Sequence, residues 1–372
     1  MDNRYSEDFR AFGISKEREE AVWNAWNEQH RVYHDAGHLC NILDLIDASD
    51  SDADIKRKHR IMAFYHDLHY NIYRNDNELM SANSFVNDVE SDPNGKCYFS
   101  DAEVTEIYEG IKDTANHALV PTSTLSAQFL RYDVHNLLYG KLPALIEDGR
   151  KMTREYGVYD WTLMQAGRIA AMEKIKPWLL SVNPDSRIGW YIEWLQGYTP
   201  NIACFPGTFF EYTTGHDDIM KRAEKIFDKV ILCPGNNPLK DGNKEKMDYV
   251  ETTLRKLLPN NQIEPFIGML SHYVNSKPYP MKVVKGLRNV TDFESNRIEE
   301  IVIGETNTHN GIGKGKDLDI CYIISSAKMA HVSSSLIRTL DAIQATEPRR
   351  EDGFKYSDEY RYTNKHLHNN IY

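Results

Sequence analysis

Residues 204–216, CFPGTFFEYTTGH, constrain this chain most, because a strand exit, a glycine turn and a helix start fall within thirteen positions. The apolar run 202–205 breaks at Pro206-Gly207. Gly215-His216 then opens a segment with Ile219, Met220, Ala223, Ile226 and Phe227 at helical spacing. The amide end of that helix faces the space beyond the strand. Free N–H groups and the helix dipole favour an anion there, and glycine lets the backbone approach it closely. Residues 230–233 (VILC) follow as a second buried strand, completing a strand-helix-strand unit of the nucleotide-binding kind. The stretch reads as a phosphate cradle.

At 372 residues the chain exceeds what one core usually serves, so two domains of about 150 to 200 residues are expected. Hydrophobic residues at 41% and charged residues at 27% fit ordinary globular folding rather than disorder. A net charge of −11 argues against a general nucleic-acid or anionic-membrane binder, while a local basic pocket for a phosphorylated small molecule stays open. The five cysteines (Cys40, Cys97, Cys204, Cys233, Cys321) are scattered without a CxxC pair, so reduced thiols are expected. The first residues, MDNRYSEDFR, are acidic and polar, and no apolar run has membrane-spanning length. The expected location is cytoplasmic.

From Glu17 to about Trp194 the pattern is helical, with Trp23 and Trp26, then Leu39, Ile42, Leu43 and Ile46, then Ile61, Phe64 and Tyr65 at three-to-four spacing. Ser100-Asp101-Ala102-Glu103 reads as a capping box, and a last helix around 188–195 leads into the linker Gly197-Tyr198-Thr199-Pro200. Beyond it, strands at 263–266, 281–284 and 318–324 alternate with helical patterns at 247–257 and from Ser334. The expected fold is multidomain: an all-α domain over 1–197, an α/β domain with a Rossmann-like parallel sheet over 198–346, and a polar arm over 347–372, expected at the surface.

Histidines and acids of the first half fall in an order that suits a metal. His34 and His38 stand one helical turn apart in YHDAGH, His66-Asp67 lies on a separate helix, and Asp133 lies in FLRYDVHNL near a third helix start. Imidazoles and carboxylates suit a borderline divalent ion such as manganese, zinc, iron or nickel, which can acidify a bound water. Successive residues on a helix point about 100 degrees apart, so His66 and Asp67 share an ion only if it sits deep between helices. The order His, His-Asp, Asp resembles the HD superfamily of metal-dependent phosphohydrolases over roughly Trp23 to Asp133. The closer likeness is to its branch with a YHxxxH opening and an RNDNE segment, here Arg74 to Glu78. That resemblance implies His38, His66, Asp67 and Asp133 as ligands, His34 as general acid, and His69 and His117 as candidates for a phosphate or a second metal.

The second half places further pieces at later strand ends. These are Asn237-Pro238-Leu239-Lys240, then Lys285-Gly286-Leu287-Arg288 with Asp292-Phe293-Glu294, then His331-Val332-Ser333-Ser334-Ser335-Leu336. In a parallel sheet the carboxyl ends of strands share one edge. Thr208, His216, Lys240, Lys285, Arg288 and the serine-opened helix are therefore expected around one polyphosphate. No protein nucleophile is needed if a substrate phosphate attacks the α-phosphate of a nucleoside triphosphate.

Those pieces, in that order, resemble the nucleotidyltransferases with the TxGH signature, and specifically the phosphopantetheine adenylyltransferase family, from about Ile202 to Leu340. The resemblance implies that Thr208 and His216 stabilise the transferring phosphate, and that Lys240 bridges the phosphates of both substrates. It also implies that Gly207, Gly215, Lys285, Gly286, Arg288, Ser334 and Ser335 hold the triphosphate of ATP, with magnesium as its charge partner. Phe210 stands where the family has aspartate, Thr214 where it has asparagine, and Lys285 replaces an arginine, losing the bidentate fork. The residues leave the acceptor open between 4'-phosphopantetheine, nicotinamide mononucleotide and another phosphate monoester. They also leave open a nucleotide-binding sensor with an impaired site. The expected partners are ATP and small phosphate esters, with neither nucleic acid nor membrane. Family members commonly assemble, which makes a homo-oligomer an expectation.

Overall fold

The computed structural model describes residues 9, 14–91, 98–116, 121–235, 244–288, 292–294, 318–329, 331–332, 334–345 and 355–361. The chain divides into two units, one of residues 1–156 with 161–198, the other of 157–160 with 199–372.

The first unit is helical. Its leading helices are α1 (Lys16–Trp26), α2 (Ala36–Ala48), α3 (Ala53–Tyr65), α4 (Asn77–Ser91), α5 (Asp101–Asp113) and α6 (Thr124–Asp133). Their N-termini are set by side chains: Asp35 accepts from the amides of Gly37 and His38, and Ser100 with Glu103 forms the expected capping box. The apolar stripe Leu39, Ile42, Leu43 and Ile46 is fully buried and shares one core with Trp26, Ile61, Phe64, Phe85 and Phe129. The indole N–H of Trp26 donates to the Phe64 carbonyl at 2.9 Å, so its one polar atom is satisfied inside that core. A second core, built on Leu138, Leu145, Leu179, Ile188 and Tyr191, joins α7 (His135–Tyr139), α8 (Leu142–Glu155), α9 (Trp161–Val182) and α10 (Ile188–Gly197).

Two local expectations change here. His34 precedes the α2 cap rather than sharing a helix with His38, and His66 is the C-cap of α3 with Asp67 in the turn beyond. Asp133 is the last residue of α6, two positions before the next helix opens at His135, so it does lie near a helix start.

The second unit contains a parallel sheet of β1 (Ile202–Gly207), β2 (Lys229–Pro234), β3 (Met281–Leu287) and β4 (Ile320–Ile324) in the order β2-β1-β3-β4. Register pairs Cys204 with Ile231 and Val283 with Ile320. From β1 the chain first steps outward to β2 and then crosses back to β3, so the strand order reverses between β1 and β3. A crevice beyond their carboxyl ends is the default ligand position for such a sheet. Helix α11 (Thr214–Ala223) packs on β3 and β4, α12 (Lys244–Leu257) on β2, and α13 (Leu270–Asn275) on β3, while α14 (Ser334–Ala345) closes the series.

The strand expected at 263–266 is reduced to two parallel bridges, Leu232 with Ile263 and Gly235 with Phe266. The polar tail, expected as a surface arm, is docked over 355–361. Ser357 is fully buried, and Arg361 bridges Thr213 and pairs with Glu211 and Asp341. Ser357 and Arg361 there meet charged partners, while Lys355 and Asp358 stay exposed. Among the described residues no helix is long and apolar enough to cross a membrane.

Candidate functional site

In the helical unit, five of the expected residues converge. One ligand atom from each of His38, His66 and Asp67 falls within 4.8 Å of the others. Asp133 Oδ1 lies 3.4 Å from His38 Nε2 and 3.7 Å from His66 Nε2, and His66 Nε2 is 3.3 Å from Asp67 Oδ2. His66 Nδ1–H donates to the Ala63 carbonyl at 2.9 Å, which turns Nε2 toward the acids. The Nε2 atoms of His38 and His66 are buried without a hydrogen-bond partner. Orphaned nitrogens beside two carboxylates fit a divalent transition metal by donor type and by cost of burial.

Burial works against charge on His66, yet Asp67 and Asp133 outweigh it and push its pKa up to about 9. Burial would raise Asp67, but His66 and His34 hold its carboxyl well below the usual range.

His34 approaches the same group, with Nε2 4.0 Å from Asp67 Oδ2. Its orientation comes from Glu155, which the sequence did not single out. The fully buried Glu155 carboxylate accepts from the backbone amides of Val32, Tyr33 and His34 at 2.8, 2.8 and 3.0 Å. It also accepts from His34 Nδ1 and the Tyr70 hydroxyl, both at 2.6 Å. Burial opposes the anion, but these donors, His34 first, pull its pKa down to about 2. Burial likewise opposes charge on His34, and Asp67 followed by Glu155 raises its pKa nonetheless.

Arg31 is the second residue missed. Its buried guanidinium donates to the carbonyls of Asp67 and Leu68 at 2.7 and 2.8 Å and to that of His34 at 3.3 Å, pinning the segments that carry His34 and Asp67. The only sequence signal was its place three residues before His34 in RVYH. His69 belongs to a different set: its amide donates to Ser81 Oγ, and its Nε2 shares a 2.7 Å hydrogen bond with Ser84. His117 lies outside the described residues.

In the second unit, β1 delivers Gly207 and the exposed Thr208 to the carboxyl edge of the sheet. Phe209 follows in the left-handed region with φ 44°, a conformation costing about 1–2 kcal/mol outside glycine. Its ring lies over Gly207, where a Cβ would sit 2.8 Å from it, so glycine is required at that position by packing. A reciprocal cap starts α11. Thr213 Oγ1 accepts from the His216 amide at 3.2 Å, and His216 Nδ1 accepts from the Thr213 amide at 3.1 Å.

Since Nδ1 is the acceptor, neutral His216 carries its proton on Nε2, a ready donor to a phosphate oxygen. Burial, and then the Arg288 charge, lower its pKa to about 4, so the neutral donor persists across the physiological range. Phe209 and Tyr212 flank the ring, with centroids at 5.3 and 5.6 Å.

Arg288 follows β3 and is held by Asp292 through two bonds of 2.8 and 2.9 Å. Gly215 gives α11 its close approach to the Val332 carbonyl, 3.3 Å from a hypothetical Cβ. Gly286 serves packing: a Cβ there would meet Ile219 of α11 at 2.9 Å. Lys285 stands in register with Tyr322 on β4. Ser334 opens α14, followed by Ser335, whereas Lys240 and the serine side chains fall outside the described positions. The structure thus gathers His216 and Arg288 electrostatically, with Thr208 at the same sheet edge.

Residues 204–340 match the cytidylyltransferase-like family. The chain is similar to the phosphopantetheine adenylyltransferase of Cytophaga hutchinsonii, 35% identical over 142 residues, spanning 37% of this chain and 88% of that relative. The enzyme of the same name from Helicobacter hepaticus is 31% identical over 163 residues, 42% of this chain and 93% of the relative. That of Carboxydothermus hydrogenoformans is 31% identical over 144 residues, 37% and 80% of the two chains.

Proposed function

We propose an acceptor and a second activity for a chain that belongs, through residues 204–340, to the cytidylyltransferase-like family of nucleotidyltransferases. The transferase moves the adenylyl group of magnesium-bound ATP to the phosphate of 4'-phosphopantetheine. An acceptor phosphate oxygen bonds to the α-phosphorus, the bond from that phosphorus to the bridging oxygen of the β-phosphate breaks, and dephospho-coenzyme A and pyrophosphate form. The observation that carries this reading is the His216 cap: a neutral imidazole whose Nε2–H is aimed by the backbone, beside Arg288, in a stretch similar to enzymes of that name. His216 and Thr208 donate to the charge that builds on the transferring phosphoryl oxygens, while Arg288, released from Asp292, grips the triphosphate. Lys240 is assigned the bridging role. Incubation with Mg-ATP and 4'-phosphopantetheine is expected to release pyrophosphate. If no phosphate monoester, nicotinamide mononucleotide included, supports release, the transferase reading is wrong.

The helical unit is proposed to be a phosphate-ester hydrolase. His38, His66, Asp67 and Asp133 would hold a divalent transition metal, which supplies Lewis acidity toward water and a phosphoryl oxygen. His34, oriented by Glu155, gives its Nε2 proton to the leaving alkoxide. The orphaned nitrogens of His38 and His66 support this reading. Purified protein should hold a transition metal that Asp67→Ala removes together with hydrolysis of a model phosphodiester. Metal-free protein with unchanged hydrolysis in that variant would refute it.

A further inference from the structure

The docked tail touches both elements that frame the transferase cradle. The Tyr360 carbonyl accepts from the Thr214 amide at 3.1 Å, taking one of the first N–H groups of α11, and Thr214 Oγ1 reaches the same carbonyl at 3.4 Å. The next residue, Arg361, forms an antiparallel bridge with Thr213, the α11 cap residue, which is 1% exposed. Its guanidinium spreads over four acceptors. Nε donates to Glu211 in the cradle loop at 3.1 Å, and Nη2 to Asp341 on α14. Nη1 donates to Ser357 Oγ at 2.9 Å and to Asp358 at 3.4 Å. Ser357 Oγ in turn donates to Asp341 at 2.5 Å, and the Tyr360 ring meets the edge of His331, just before the serine run.

One arginine thus ties the loop after β1 to the helix that the serines open, through side chains lying between solvent and core. We propose that Arg361 is a positioning residue of the nucleotidyltransferase site. With the Tyr360 carbonyl it fixes the start of α11 against α14, so that the His216 donor and the amides of the serine-opened helix meet one triphosphate. The inference rests on the transferase reading for what the cradle binds, but the tie itself is a property of the tail. It converts a polar terminal segment into part of the ATP site without contact to the reacting atoms. A planar fork suits a four-way tie that a point charge holds less well.

The test uses the full chain and compares Arg361→Ala, Arg361→Lys and Asp341→Asn with the wild type. Two measurements are made: Mg-ATP affinity by titration calorimetry, and amide exchange over residues 208–220 without nucleotide. Arg361→Ala is expected to weaken ATP by about tenfold, the scale of one lost hydrogen bond to a charged group. It should also expose the α11 start to faster exchange and leave the melting of the helical unit unchanged. Asp341→Asn should fall between Arg361→Ala and wild type, and Arg361→Lys should recover part of the affinity. Wild-type exchange and ATP affinity in Arg361→Ala would overturn the proposal, as would faster exchange with unaltered affinity. A failure of the transferase reading is separate: it appears as wild-type protein that releases no pyrophosphate with any acceptor, while the exchange contrast still judges the tie.

Discussion

The two candidate sites are made of different materials. In the helical unit the site is a set of buried titratable groups, His34, His38, His66, Asp67, Asp133 and Glu155, contributed by segments far apart in sequence and lying opposite one another in charge. In the α/β unit it is backbone: a strand end, a glycine under a phenylalanine ring, and a capped helix start whose histidine is held neutral by burial. A site of buried charges depends on every partner, because removing one leaves another uncompensated in low dielectric. A backbone cradle depends on local conformation, and losing one side chain removes one donor.

The largest effect that follows is on stability. Glu155→Ala should destabilise the helical unit by about 3–5 kcal/mol, since His34 and three backbone amides lose a buried acceptor together. Denaturant titration measures it, and a change under 1 kcal/mol would make the two sites alike. Next in size, His216→Ala should lower transferase turnover by about 10²–10³, as for a missing transition-state donor, and cost about 1 kcal/mol of stability through its half of the α11 cap. Steady-state kinetics at saturating ATP is the check.

The pH dependence should run in opposite directions in the two units. His66, raised to about 9 in the folded chain, contributes stability that is full below its unfolded pKa of about 6.5 and is lost as pH rises through about 9. His216, lowered to about 4, contributes stability present above about 6.5 and lost as pH falls toward about 4. Calorimetry of chelator-treated protein across pH 4 to 9, the span of those two values, should show the two transitions shift oppositely. The smallest effect is Thr213→Ala, which removes the α11 cap at a cost of about 1 kcal/mol, visible as a small drop in the second unit's melting temperature.

The same contrast explains what could be read in the sequence. The cradle was legible because its parts are contiguous: an apolar run, Pro206-Gly207, then Thr213 and His216 at capping-box spacing. The order of residue types His38, His66, Asp67, Asp133 was legible, and the structure brings those side chains together. Glu155 was not, because it lies 121 residues from His34 and nothing local predicts that a glutamate ending α8 is fully buried. Phe209 in the left-handed region, which dictates Gly207, leaves no mark in composition. The docking of 355–361 was not legible for a related reason: these residues read as polar surface, and only the arrangement of Glu211, Asp341 and Thr213 gives Arg361 its partners. The apolar run at 263–266 was legible as extended chain, and it runs parallel to β2 through backbone hydrogen bonds that link Gln262, Glu264 and Phe266 to Leu232 and Pro234.

The central claim is that the neutral His216 donor, placed by backbone, serves adenylyl transfer independently of the buried-charge site. Acceptor-dependent pyrophosphate release from Mg-ATP and 4'-phosphopantetheine tests it most directly when measured in wild type, His216→Ala and Asp67→Ala. The account predicts release that Asp67→Ala preserves and His216→Ala reduces by about 10²–10³. Release that survives His216→Ala, or that disappears with Asp67→Ala, would contradict it.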